Sequence, residues 1–185
     1  IPILMKHITE QDLTFVVQGI INPTTPRTIA SIQRFFPRSP IIVSTHKTDS
    51  GPAPIPTNSM DGFLSVQISD PGPSKNNLLR QICTSRVGLR FVQTEFSIKI
   101  RSDIEFVHGD LLENYNNHLP SVSLSTAFTQ PVGIVDVFTY HPHVLPLFLS
   151  DFIAIGRTKD VQKIFDCPLP SADMEHIYAE SNPDD

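Results

Sequence analysis

The sequence predicts an α/β fold, a three-layer sandwich around a mainly parallel sheet. Short apolar runs bounded by turn residues alternate with longer amphipathic stretches. The first strand, helix and strand in succession make a βαβ unit, which requires a parallel pair and a right-handed crossover. Polar residues also gather at or just after the carboxyl ends of the predicted strands, the rim where open α/β sheets bind ligands.

The elements follow in order. Leu13 to Gln18 (LTFVVQ) is an apolar run rich in β-branched residues and closed by Gly19. Asn22-Pro23 supplies turn chemistry, and Thr25 as N-cap with Pro26 at the first helical position predicts a helix to about Phe36. Ile29, Ile32 and Phe36 form its apolar stripe, and Pro37 stops it. Pro40 to Thr45 (PIIVST) is the second strand, and Lys47 to Gly62, rich in Pro, Gly, Ser, Thr and Asn, is expected to be a mobile loop. Phe63 to Ile68 is the third strand, and Asn76 to about Val92 the second long helix, with Gly88 interrupting it or marking its end. Phe96 to Ser102 is the fourth strand and Ile104 to Tyr115 a further helix. Val132 to Tyr140 and Phe152 to Ile155 read as strands, and Thr158 to Phe165 as a short helix. Residues 1–170 are expected to form one domain and the acidic stretch 171–185 a disordered tail.

Composition narrows the function classes. A net charge of -5 over 185 residues gives no general reason to expect a nucleic acid or an anionic membrane surface as partner. Cys83 and Cys167 match no metal or redox spacing and are expected to be reduced and buried, which suits the cytoplasm. No signal peptide is expected, and the apolar run from Val144 to Ile155, broken by Pro146 and Asp151, is too short to span a bilayer. Beginning at Ile1 rather than methionine, the chain is read as a fragment or a processed form.

FSIKIRSD carries the strongest chemical signal. Alternation in a strand buries Ile98 and Ile100 on one face and sets Lys99, Arg101 and Asp103 in a row on the other. Two cations and a carboxylate at a strand's carboxyl end are costly to bury without a ligand or partners, and they suit an anion such as a diphosphate. Nearby cations keep an aspartate ionised, so Asp103 could also ligate a divalent metal. The alternative is an ion pair on a solvated edge. Asp70, in ISDPGP, is placed to meet a ribose hydroxyl or base N–H, or is simply favoured by the turn. Gln18-Gly19 and Thr45-His46 close two strands on the same rim, and Gly19 permits close approach of the backbone to a ligand. Arg80 and Gln81 lie early in a helix whose N-terminus faces that rim, where the helix dipole favours an anion. Asp151, inside LFLSDFIAIG, is a carboxylate amid apolar residues and a candidate general base, or a residue that caps the turn before the strand. His46, His108, His141 and His143 form no metal spacing, and no glycine-rich phosphate loop or GxSxG elbow occurs.

The succession LTFVVQG, SIQRFFPRSPIIVST, SDPGP, NLLRQICTSRVGL, IKIRSD and LSDFIAIG resembles the WavE lipopolysaccharide synthesis proteins over about Asp12 to Asp166. The resemblance implies a GT-A-like, Rossmann-like domain that binds a nucleoside diphosphate-sugar and transfers the sugar to a glycan or lipid-linked acceptor. It implies that Asp103 stands where a DxD-type metal and diphosphate site belongs, with Mn²⁺ or Mg²⁺ as cofactor. It also implies that Asp70 meets the nucleoside and that Asp151 lies near the acceptor. Work on lipid-linked acceptors implies a cytoplasmic protein, peripheral to the inner face of the membrane. The departures are a single carboxylate in RSD, Ile20 and His46 where relatives carry proline and tryptophan, a long loop after the second strand, and an early end that leaves an acceptor-binding portion beyond it. These departures suit a rival reading, a degenerate and non-catalytic binding module of the same fold. A nucleotidyltransferase is a third reading, although paired carboxylates would be expected there.

Overall fold

The computed structural model describes residues 6–47, 63–72, 77–119, 127–135, 152–166 and 169. Among them lie six strands and four α-helices: β1 (Leu13–Gln18), α1 (Thr25–Phe35), β2 (Ile41–His46), β3 (Phe63–Ile68), α2 (Leu78–Arg90), β4 (Phe96–Arg101), α3 (Leu111–His118), β5 (Gly133–Ile134), β6 (Ile153–Arg157) and α4 (Thr158–Phe165). The strands form one sheet in the order β3-β2-β1-β4-β6-β5. The fold is mixed α/β. Every residue of β1 and β2, polar ones included, is buried because parallel central strands are covered on both faces.

Two cores sandwich the sheet. Phe15, Val17, Ile41, Val43, Ile98 and Ile100 face α1 and α3 through Ile29, Ile32, Phe36 and Tyr115. Val16, Ile42 and Ala154 face α2 and α4 through Leu89, Val161 and Phe165. Helix α2 lies close to the sheet because of Gly88: a Cβ there would stand 2.6 Å from Val16 Cγ1 and 2.8 Å from Ser44 Cβ. The glycine therefore neither interrupts nor ends α2. It sits inside the last turn as the point of closest approach to β1 and β2.

Other boundaries moved for identifiable reasons. Helix α1 has Thr24, not Thr25, at its N-cap, and the capping oxygen belongs to Asn22, whose Oδ1 accepts from the amides of Thr24 (2.8 Å) and Thr25 (3.2 Å). Helix α3 starts at Leu111 rather than Ile104. Between them Phe106 turns inward against Phe15 and Phe36, and its amide donates to Ser31 Oγ at 3.0 Å, so this stretch serves the core instead of a helix. β1, β2, β3 and β4 are mutually parallel, but β6 runs antiparallel to β4, and β5 antiparallel to β6. Of the strand expected over 132–140, residues 132–135 are described, and Gly133–Ile134 of them is the strand β5. The tail from 171 and Asp151 lie outside the described residues, as does the expected loop over 47–62 apart from Lys47. Cys83 is free and half-buried rather than buried, and Cys167 is outside the described residues.

Candidate functional site

The strand order reverses direction at β1. The chain first steps outward from β1 to β2 and β3, with α1 on one face, then returns through α2 on the other face to place β4 on the far side of β1. That reversal opens a crevice at the carboxyl ends of β1 and β4, where open α/β sheets hold ligands. A cleft of about 190 Å³ lies there, lined by Gln18, Gly19, His46, Arg80, Arg101 and Asp103, with Ile20, Asn22, Asn77, Gln81 and Ser102 completing the wall.

Its two sides are stitched together by short contacts. Ser102 donates its amide to Gln18 O at 2.8 Å and its hydroxyl to Ile20 O at 2.8 Å. Gly19, at φ 133, donates to Ser44 O at 3.1 Å, and a Cβ on it would come within 2.6 Å of Ser102 Oγ. Only glycine combines that backbone conformation with so close a neighbour.

Two arginines dominate the charge. Arg101, at the end of β4, donates from Nε and Nη2 to the two oxygens of Asp103 at 3.0 and 2.6 Å, and its guanidinium lies 4.6 Å from the Phe152 ring centroid. Arg80, in the first turn of α2, donates to Asp70 from Nε at 2.8 Å and Nη2 at 2.6 Å, and from Nη1 to Asn77 Oδ1 at 3.0 Å. Both are bidentate, charge-assisted pairs. Arg101's hydrogen bonds hold the Asp103 carboxyl below its ordinary range against the opposing effect of burial.

Asp70 is held at about 2, chiefly by the hydrogen bonds from Arg80, with the Gly72 amide adding to them. Its folded value lies below the ordinary carboxylate value, so the pair contributes fully above pH of about 4 and loses its contribution as pH falls toward 2. A carboxyl-detected NMR titration should put the Asp70 midpoint near 2 and return it toward the ordinary value in Arg80→Ala. An ordinary midpoint in the unmutated protein would contradict the pairing.

The sequence-predicted residues separate into three groups. Gln18, Gly19, Arg80, Arg101 and Asp103 come together on the cleft wall, and Asp70 stands behind it, clasping Arg80. Lys99 shares the face of Arg101 but is fully buried beneath α4, with Nζ 5.4 Å from the Phe165 ring centroid, so the expected row of three charges is a pair on the cleft and a third set deeper. Thr45 points to the opposite face of the sheet from His46, is buried, and donates to His46 O at 3.4 Å. Asp151 is outside the described residues. The sequence puts Thr45-His46 on the rim but singles out only Thr45 as a site residue, and it gives no signal for Asn77 or Ser102. The strand-end position that singled out Thr45 was in fact the signal for His46, one residue on.

Among the described residues no three His, Cys, Asp or Glu side chains gather to hold a metal, and both Asp103 oxygens face Arg101. Asp103, already chelated by a guanidinium, is the one carboxylate lining the cleft among the described residues. Asp160, the fully buried carboxylate of α4, serves structure: it accepts from the Thr129 and Gln130 amides at 2.9 and 3.0 Å and pairs with Lys163 at 2.9 Å.

Fold and cleft together define a doubly wound α/β protein with a polar, arginine-bearing site at its topological switch point. The chain belongs to the WavE lipopolysaccharide synthesis family, whose profile matches residues 13–182. No curated protein matches the chain. Among solved structures, the bifunctional IspDF from Campylobacter jejuni is similar at 15% identity and a TM-score of 0.44, over 97% of this chain and 44% of that one. This chain thus spans less than half the length of that structure. No helix among the described residues is long and apolar enough to cross a membrane.

Proposed function

We propose that this protein is a GT-A-like glycosyltransferase, binding a nucleoside diphosphate-sugar in the switch-point cleft and passing the sugar to a glycan or lipid-linked acceptor. The observation that carries the reading is the convergence of Arg80 and Arg101, from two different elements, on one cleft beside the N-terminus of α2. A departing diphosphate needs preorganised positive charge, and bidentate guanidiniums supply it together with the helix dipole. A diphosphate carries more charge than the carboxylate it would displace from each arginine. Asp103 and Asp70 therefore act as placeholders that keep the guanidiniums aimed before the ligand arrives. The backbone at Gly19 gives the ligand close approach. Asp151 remains the candidate base for the acceptor hydroxyl on sequence grounds, and a lipid-linked acceptor would bring the protein to the inner face of the membrane, in the cytoplasm.

One observation favours the non-catalytic module instead: two guanidiniums and two carboxylates leave the quartet without net charge. An assay of nucleoside diphosphate release from a panel of sugar nucleotides, with and without Mn²⁺, separates the readings. The transferase reading expects slow hydrolysis of one sugar nucleotide, and binding without turnover would favour the module. A role for Mn²⁺ or Mg²⁺ at Asp103 expects turnover that depends on the ion and is lost in Asp103→Asn. Affinity unchanged by Asp103→Asn in Mn²⁺ removes the metal from the account.

A further inference from the structure

We propose that His46 and Gln18 form a diol-reading pair on the cleft floor, taking two adjacent hydroxyls of a sugar ring and setting which sugar-bearing ligand the site accepts. The inference rests on the sugar-nucleotide reading above. His46 and Gln18 are only 4% and 3% exposed and both line the cleft. Yet neither imidazole nitrogen of His46, nor Gln18 Oε1, finds a hydrogen-bond partner among the described residues. Buried polar groups are ordinarily paired, and leaving them unmade costs stability. Their neighbours on the wall are engaged: Arg80 with Asp70 and Asn77, Arg101 with Asp103, Ser102 with Ile20, and Asn22 with the start of α1.

The open valences specify the ligand's chemistry. A neutral imidazole offers one N–H and one lone pair, and Gln18 Oε1 accepts. Their complement must give two protons and take one. Two adjacent hydroxyls do so, since each both donates and accepts. A phosphoryl group, which only accepts, would satisfy the N–H and leave the basic nitrogen and Gln18 Oε1 facing further lone pairs. His46 is kept neutral: burial lowers its proton affinity, Arg80 adds to this, and Asp70 opposes it, while Arg101 and Asp103 face the same cleft as a compensated pair. Strand geometry sets the span. Gln18 pairs with Ser44, and His46 lies two residues further on the same face, so the two Cα atoms are about 8 Å apart.

The hydroxyls could belong to the nucleoside's ribose or to the transferred sugar, and calorimetry on the unmutated protein, His46→Phe and Gln18→Met distinguishes them. If ribose is read, a ribonucleoside diphosphate binds about tenfold or more tightly than its 2′-deoxy analogue, and both substitutions bring that ratio to about one. If the transferred sugar is read, both substitutions weaken the sugar nucleotide and spare the parent nucleoside diphosphate. Affinity should stay flat between about pH 7 and 8 and fall only in acid, below the ordinary imidazole range, as the ring protonates, whereas affinity rising toward acid would reveal a phosphoryl partner and overturn the pair. Variants that bind and keep both discriminations overturn the pair and leave the transferase reading standing. Absence of all nucleotide binding overturns the transferase reading. The pair is then judged, as it is if the variants do not fold, by the His46 imidazole ¹⁵N resonances of the unmutated protein: methyl ribosides or hexosides should move them and deoxy analogues should not. Resonances that ignore every glycoside overturn it.

Discussion

Arg101→Ala is expected to weaken nucleoside diphosphate binding by about ten- to a hundred-fold, the worth of a charge-assisted bidentate contact. Two effects add. The substitution removes a donor aimed into the cleft, and it leaves the Asp103 carboxylate there without its guanidinium, repelling the incoming anion. Stability should change little, by about 1 kcal/mol or less, because the Arg101 and Asp103 side chains are 32% and 39% exposed. Arg101→Lys keeps the charge but loses the fork, and should recover only part of the affinity. Adding Asp103→Asn to Arg101→Ala should restore some binding by removing the repulsion. Calorimetry at two salt concentrations checks the set, and equal affinity in Arg101→Ala and the unmutated protein would remove Arg101 from the site.

Phe15→Ala is expected to cost about 3–5 kcal/mol, a large share of the 5–15 kcal/mol that holds a typical domain. Phe15 is fully buried on β1, and its ring centroid lies 5.0 Å from that of Phe36 and 5.9 Å from that of Phe106. Phe36 and Phe106 are themselves 5.5 Å apart, so the three rings form one contact set joining β1, the end of α1 and the segment that follows Asp103. Truncation opens a cavity under the strand that carries Gln18 and loosens the segment after Asp103. Urea denaturation should show a much lower midpoint with a similar slope. A shift under about 1 kcal/mol would mean that the three rings do not pack as one.

Much of the fold was legible because its signals are local. LTFVVQ and PIIVST announce buried parallel strands, and Thr158–Phe165 carried a helical period that the structure reproduces to the residue. What escaped the sequence depends on long-range partners. Phe106 looked like part of a helix until its place between Phe15 and Phe36 was known. Gly88 looked like a break, because the side chains that need its missing Cβ belong to β1 and β2. The direction of β6 is a matter of topology, which a strand of five residues cannot encode alone. At the candidate site, strand ends located the rim and the arginines. Alternation alone could not show that Lys99 ends beneath α4 while Arg101 reaches the cleft, since both lie on one face and differ only in depth. His46 was visible on the rim, but its significance lies in having no partner among the described residues, and that is a property of its surroundings.

If the cleft between the carboxyl ends of β1 and β4 is where the ligand binds, backbone amide chemical-shift mapping during titration with a nucleoside diphosphate will locate it there. The largest shifts should cluster at Gly19, His46, Arg80 and Ser102, residues far apart in sequence that meet on that wall. Saturable binding whose shifts centre on another face of the sheet, or no shifts at all, would contradict it.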